Sequence, residues 1–399
     1  MAAQHPPGAG QADAAAQAGV TVASHTADFA ASQVWDSAAA GWDAHTPLLA
    51  AWLQAATIDL LDAAAITPGA RVLDIAAGAG DQTLDIARRV GAGGQVLATD
   101  ISPAILALAR AKFQRAGLGW VQTRVVDAQA LDRLTATAGT GPGAGLAASL
   151  APAQAPSLAS AQAPPLAPPP ATSVGPPLIP PFAPSAVPSL VAAFVPAFVP
   201  AFLPPLVPPF IPPFIPPFDA VVCRLGLMLC PQPQAVLTGA LAALRPGGRF
   251  AALVFGAAQD NPCITTLVST ALRHAGLPPP APAAPSPRGT LLSLGRPGLL
   301  ADLLAAAGFA QVTVRSINAP MHLPSAQHYV DFVRTAGGPV MALLAFLSAD
   351  AQRDAWLDIA QQLARFNTAN GWVGPNTLLL GAGTRPLDAA DPAPRQPSP

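Results

Sequence analysis

Charge is scarce in this sequence, and cysteine scarcer still. Charged residues make up 10% of 399 residues, with 20 Lys and Arg against 21 Asp and Glu, for a formal net charge of -1. A chain this close to neutral, with no basic patch, has no general electrostatic hold on a nucleic acid backbone, so nucleic acid is not expected as a partner. Lys112 is the only lysine, and the Ala, Pro and Gly bias around it reflects a GC-rich coding sequence rather than a function. Cys223, Cys230 and Cys263 are odd in number and lack metal-ligand spacing, which excludes a disulfide framework, predicts no metal and points to a reduced, cytoplasmic compartment. The N-terminus lacks a basic segment followed by an apolar one, so secretion is not expected. What the chain has in quantity is apolar residues, at 51%, and proline, at 49 residues. That is enough to bury a sizeable core.

The most informative stretch runs from Arg71 to Thr83, RVLDIAAGAGDQT. Val72, Leu73 and Ile75 predict a short buried strand, Ala76 to Gly80 a small-residue turn, and Asp81 to Val90 a helix. A tight glycine turn between strand and helix lets backbone amides approach a ligand closely, and the helix N-terminus adds partial positive charge. A second strand, Gln95 to Thr99, ends at Asp100, where an acid in a Rossmann-like sheet can accept hydrogen bonds from both ribose hydroxyls. Ser102 then reads as an N-cap, Pro103 as the first helical residue and Gly117 as the stop. A third strand, Val121 to Val126, runs into Asp127 and Ala128.

Asp74 before the turn, with Gly78 and Gly80 followed by Thr83 rather than a third glycine, departs from the dinucleotide fingerprint. The pattern resembles motif I of the class I S-adenosylmethionine (SAM) dependent methyltransferases, and VLDIAAGAGD looks most like their ubiquinone/menaquinone C-methyltransferase-like branch, with Ala76 at the position of the motif's first glycine. The resemblance implies a cofactor site of Asp74, Ala76, Gly78, Gly80, Thr83, Asp100 and Ile101, with Asp127 and Ala128 beside the adenine. FDAVVCRLGLM and LRPGGRFAALVFG, from Phe218 onward, resemble the fourth and fifth strands of the same group, and place Arg224 near the methionine end of SAM. Residues 31–133 and 219–385 then form two halves of one domain. The implied fold is α/β: a Rossmann-like doubly wound seven-stranded sheet, last strand antiparallel, with helices on both faces and a small helical lid.

Residues 1–30 and 386–399 read as disordered ends. Trp35, Trp42, Trp52, Leu48, Leu49 and Ile58 recur at roughly helical spacing, which fits packing against the sheet; the resemblance adds a second reading, Trp42 on a helix folded over the cofactor. Residues 134–218 carry no charge and hold 24 prolines between Pro142 and Pro217. The apolar length invites a membrane span, but interior prolines delete helix hydrogen bonds, so a disordered insert is expected, with docking to a partner or a membrane surface as the alternative. In the second half, strands are expected at Ala220 to Cys223, Phe250 to Phe255, Gln311 to Ile317 and Thr377 to Gly381. A turn is expected at Arg245 to Arg249, and helices at Cys263 to Gly276, Gly298 to Gly308 and within His322 to Phe366.

A methyltransferase needs no fixed catalytic side chain, because the sulfonium methyl is already electrophilic. Where a base is needed, His274, His322 and His328 are the histidines of the second half, and His322 and His328 stand as the catalytic candidates, although a histidine in such a place is more often a satisfied or surface one. The expected activity is methyl transfer from SAM to a small-molecule acceptor. A non-catalytic SAM-binding scaffold acting through the insert and an NAD(P)-dependent oxidoreductase are the alternatives.

Overall fold

The computed structural model describes residues 31–136, 217–278 and 286–387. The expectations for residues 1–30, for most of the insert and for the tail beyond 387 lie outside the described residues.

Helix α1 (31–44) is followed by α2 (Thr46–Ala63). The residues at helical spacing are shared between these two helices, and the break falls there because Pro47 lies in the first turn of α2, where a missing N–H costs nothing but continuation from α1 would lose a bond. Strand β1 (Arg71–Ile75), helix α3 (Asp81–Val90), strand β2 (Gln95–Asp100), helix α4 (Pro103–Arg115) and strand β3 (Val121–Val125) follow in strict alternation, closed by the short turn α5 (Arg133–Ala136). Ser102 caps α4 as its position predicts, its Oγ accepting the N–H of Ile105 at 3.1 Å. The second half runs β4 (Phe218–Arg224), α6 (Pro233–Ala243), β5 (Leu244–Phe255), α7 (Pro262–His274), α8 (Leu299–Ala306) and β6 (Ala310–Asn318). Then come β7 (Met321–Leu323), α9 (Ala326–Ala336), α10 (Gly338–Leu344), α11 (Ala349–Leu363), β8 (Asn367–Thr368), β9 (Gly371–Gly374) and β10 (Thr377–Thr384).

Seven strands form one sheet in the order β3-β2-β1-β4-β5-β10-β6. β1, β2, β3, β4 and β5 are mutually parallel, and β10 is antiparallel to both its neighbours. The central strands are apolar on both faces because helices cover both. On one face Arg315 of β6 reaches Asp59 of α2 at 2.8 Å; on the other Gly381 of β10, paired with Val314, leaves room for Leu300 and Leu304 of α8. A second core joins α2 through Leu49 to α7, α9, α10, α11 and the buried Trp372.

Three details differ from the sequence reading. Residues 245–248, expected as a turn before a strand, lie within β5 as a bulge: Phe218 pairs with Leu244 and Ala220 with Arg249. Ile58 is 54% exposed rather than packed inward. A small sheet, β7-β9-β8, was not foreseen, since strands of two to four residues leave little periodicity to read.

Candidate functional site

The carboxyl ends of β1 to β4 open into a cavity of about 300 Å³, within the range of small-molecule sites. In a parallel sheet this is the end where ligands bind, at the point where the strand order reverses. Here β2 and β4 leave β1 on opposite sides.

Two non-glycine residues hold left-handed backbone at the cavity floor, Ala76 at φ +53° and Leu225 at φ +59°. Non-glycine residues rarely adopt this conformation, so the departure from glycine at Ala76 retains a strained backbone. The two turns are pressed together: a Cβ on Gly226 would lie 2.4 Å from that of Ala76. Gly78, at φ +56°, has nothing within 4 Å of where a Cβ would sit, so the space over it is open. Gly80 is needed for packing instead, since a Cβ there would strike the Phe113 ring at 2.5 Å.

Asp100 is 8% exposed and lines the cavity. Its Oδ2 accepts the Gly78 N–H and its Oδ1 the Ser102 N–H, each at 3.0 Å. Burial raises its pKa against these backbone bonds, and each oxygen keeps acceptor capacity for a further donor. Ile101, Asp127 and Ala128 also line the cavity.

Asp74 does not line it. The carboxyl is fully buried; Thr83 Oγ1 donates to it at 2.7 Å and Gln82 Nε2 donates to its other oxygen. Burial pushes its pKa up to about 7, while those two hydrogen bonds and the Arg224 charge act in the opposite direction. Asp74 and Thr83 therefore stand behind the site and set the orientation of Gln82. Gln82 is a cavity residue that sequence reasoning missed: its Oε1 is buried with no hydrogen-bond partner among the described residues. The signal was present in the DQT triplet, but a mid-motif glutamine has no periodic signature.

Arg224 lines the same cavity and donates from Nη1 to Thr57 Oγ1 at 2.9 Å. No ion pair engages it among the described residues; its pKa is lowered by burial, with Asp81, Asp74 and Asp85 acting the other way.

Helix α1 closes one side with Trp35 and Trp42, whose rings stand 6.2 Å apart. Asp36 accepts the Ala104 N–H at 3.1 Å and the Ser102 hydroxyl, pinning α1 to the start of α4. The sole lysine, Lys112, bonds Asp81 at 2.9 Å and lies 3.5 Å from Asp43, tying α1 to the motif turn. These polar ties were also missed, because they join residues far apart in the chain.

His322 and His328 are exposed and do not line the cavity; His328 Nδ1 bonds Ser325 Oγ at 2.8 Å. His274 is engaged by Asp358 at 2.8 Å. Among the described residues no cluster of His, Cys, Asp or Glu could hold a metal ion.

A βα turn with a buried strand-end acid beside it, on a Rossmann-like sheet, is an arrangement suited to a nucleotide-type ligand, and residues 72–141 match the family described as "Methyltransferase domain". There the chain resembles a class I SAM-dependent methyltransferase of the ubiquinone/menaquinone type. It is 38% identical over 104 residues to the ubiquinone/menaquinone biosynthesis C-methyltransferase of Bordetella parapertussis, covering 25% of this chain and 39% of that protein. To the enzyme of the same name from Teredinibacter turnerae it is 46% identical over 72 residues, 18% of this chain and 29% of the relative. The chain thus spans about two fifths or less of the length of these curated relatives. Among solved structures it is similar to the YcgJ protein of Bacillus subtilis, with a TM-score of 0.42 and 16% identity over 84% of this chain and 100% of that one.

Proposed function

We propose that this protein is a SAM-dependent methyltransferase (EC 2.1.1.-) acting on a small-molecule acceptor. The observation that carries this reading is one cavity holding both a buried carboxylate with free acceptor capacity, Asp100, and an arginine, Arg224, without an ion-pair partner among the described residues. A nucleoside bearing an α-amino acid fits that pair: Asp100 takes the ribose hydroxyls, the open space over Gly78 admits the chain between, and Arg224 takes the carboxylate. Asp127 and Ala128 are assigned to the adenine edge and Ile101 to its face. Ala76, Gly78 and Gly80 shape the turn; Asp74 and Thr83 support it from behind.

When bound, SAM supplies a sulfonium methyl that is already electrophilic. The protein's part is to orient the acceptor along the methyl-sulfur axis and exclude water, work for which Trp35 and Trp42 on α1 are placed. Among the described residues no histidine lines the cavity, and an acceptor that needs a base would be served by an aspartate of the wall.

A cytoplasmic setting fits the unbridged cysteines, of which Cys223 and Cys263 are buried. No helix among the described residues is long and apolar enough to cross a membrane. Partner docking by the insert stays a separate proposal. Its chain re-enters at Phe218, the amino end of β4, away from the cavity. Replacing residues 136–216 with a short Gly/Ser linker is therefore expected to leave SAM binding intact, whereas loss of binding in a folded protein would make the insert part of the site.

Thermal shifts with SAM, S-adenosylhomocysteine and NADH test the reading. A ligand that binds only the folded chain at a hundred times its Kd adds about 2.7 kcal/mol of stability. The first two compounds should raise Tm and NADH should not. A response to NADH alone would favour the oxidoreductase.

A further inference from the structure

The face that α2 turns inward is apolar except at one position. Its buried residues are Leu49, Leu53, Ala56, Thr57, Leu60 and Leu61, and Thr57 is 2% exposed. A hydroxyl in such a place costs stability unless it is hydrogen-bonded, and valine would give nearly the same shape without it. The bond comes from the sheet: Arg224 Nη1 donates to Thr57 Oγ1 at 2.9 Å, from 167 positions further along the chain.

Arg224 ends β4 and lines the cavity. Thr57 does not line it, although Leu53, one turn earlier on the same face of α2, does. Thr57 therefore stands behind the wall, in reach of the guanidinium and not of a ligand. Its bond is the one hydrogen bond of the Arg224 side chain among the described residues. Asp74 and Asp81, whose charges act on Arg224, are engaged elsewhere: Asp74 by Thr83 and Gln82, Asp81 by Lys112 at 2.9 Å. A long arginine stem samples many rotamers, and a single bond to its planar head fixes it while leaving the other N–H donors for an anion.

We propose, resting on the SAM reading of the cavity, that Thr57 is a positioning residue, holding the Arg224 guanidinium in the orientation that receives the carboxylate of the cofactor's amino acid. In Thr57→Val the guanidinium is released to follow the field of Asp81, which lines the same cavity.

Calorimetry of the full chain with S-adenosylhomocysteine and with 5′-methylthioadenosine, its counterpart without the amino acid, tests this. Thr57→Val should weaken S-adenosylhomocysteine about fivefold and leave 5′-methylthioadenosine unchanged. Thr57→Ser, which keeps the hydroxyl, should bind as wild type does. In an Arg224→Gln background, where the guanidinium is already gone, Thr57→Val should cost nothing further. Equal losses for both ligands, no recovery with serine, or an undiminished loss on top of Arg224→Gln would each overturn the proposal. An unaffected Thr57→Val in a protein that binds S-adenosylhomocysteine would overturn the positioning role and leave the cofactor reading standing; a wild type that binds neither ligand would overturn both.

Discussion

At the carboxyl ends of the strands, Asp74 and Asp100 are buried with raised pKa values, and Arg224 has no ion pair among the described residues. At the amino ends of the same strands, Asp219 is half-exposed and fully engaged. Its Oδ2 accepts the Arg71 N–H at 2.8 Å and its Oδ1 the Arg245 Nε at 2.6 Å. Burial works against that carboxylate, but those bonds hold its pKa below the usual range. Aspartate and arginine thus occur at both ends in opposite states. Where charges are mutually satisfied they stabilise the fold; where they are held apart and dry at the cavity wall, as Asp100 and Arg224 are, they are available to a ligand. The contrast can be broken at either end.

The largest expected effect is on the pH dependence of stability. Asp74 has a folded pKa of about 7 against 3.8 for an ordinary aspartate carboxyl. Between these values the folded state binds a proton that the unfolded state does not, so stability should fall as pH rises from 4 to 7 and then level off. At about 1.4 kcal/mol per unit, the ionised carboxyl opposes folding by an amount on the order of 4 kcal/mol. Asp74→Asn should remove most of this slope, because the Gln82 amide can turn over to meet an asparagine; Asp100, also raised, would leave a residue of the same sign. Chemical denaturation at several pH values reads it directly. An unchanged slope in Asp74→Asn would mean the carboxyl is not the group responsible.

Next in size is Asp100→Ala, which should weaken S-adenosylhomocysteine binding by about 2 to 4 kcal/mol in calorimetry, the loss of hydrogen bonds to a charged acceptor. The protein should still fold. Unchanged affinity would remove the ribose assignment.

Gln82 sharpens the contrast further. The orphaned Gln82 Oε1 and the Arg224 guanidinium line the same cavity, an acceptor and a cation suited to an α-amino acid zwitterion. Gln82→Met should lower S-adenosylhomocysteine affinity about tenfold, or about 1.4 kcal/mol, and leave 5′-methylthioadenosine, which lacks the amino acid, unaffected. Thr83→Val loosens Asp74 from the other side and serves as control. Equal losses for both ligands would place Gln82 in support of the fold only.

How much of this could be read from the chain depends on whether the cause is local. β1, β2 and α4 were legible to within a residue because apolar runs, a cap and a glycine stop act within a few positions. So were the residues gathered around the cavity from Ala76, Gly78, Asp100, Asp127 and Arg224, since each terminates or follows a strand. The ties of Asp36 to Ser102 and of Lys112 to Asp43 were not legible, because 66 residues separate one pair and a lone lysine carries no pattern. Nor was the exposure of β6 visible: its β-branched composition reads as a buried strand, and only the sheet order makes it an edge.

The smallest effect is expected at the amino end. Asp219 and Arg245 are partly solvated, so screening limits the pair, and Asp219→Ala should cost about 1 kcal/mol at neutral pH, mostly through the Arg71 N–H left without its acceptor. The sign of its pH dependence is opposite to that of Asp74. A carboxyl held below its ordinary pKa stabilises the fold above that value and loses the contribution as pH falls through it, so the variant and wild type should converge in strong acid. S-adenosylhomocysteine affinity should not change, because this group lies at the other end of the strands from the cavity. A loss of ligand affinity without a loss of stability would mean that the two ends of the sheet are coupled, and that the division between satisfied and available charge does not hold.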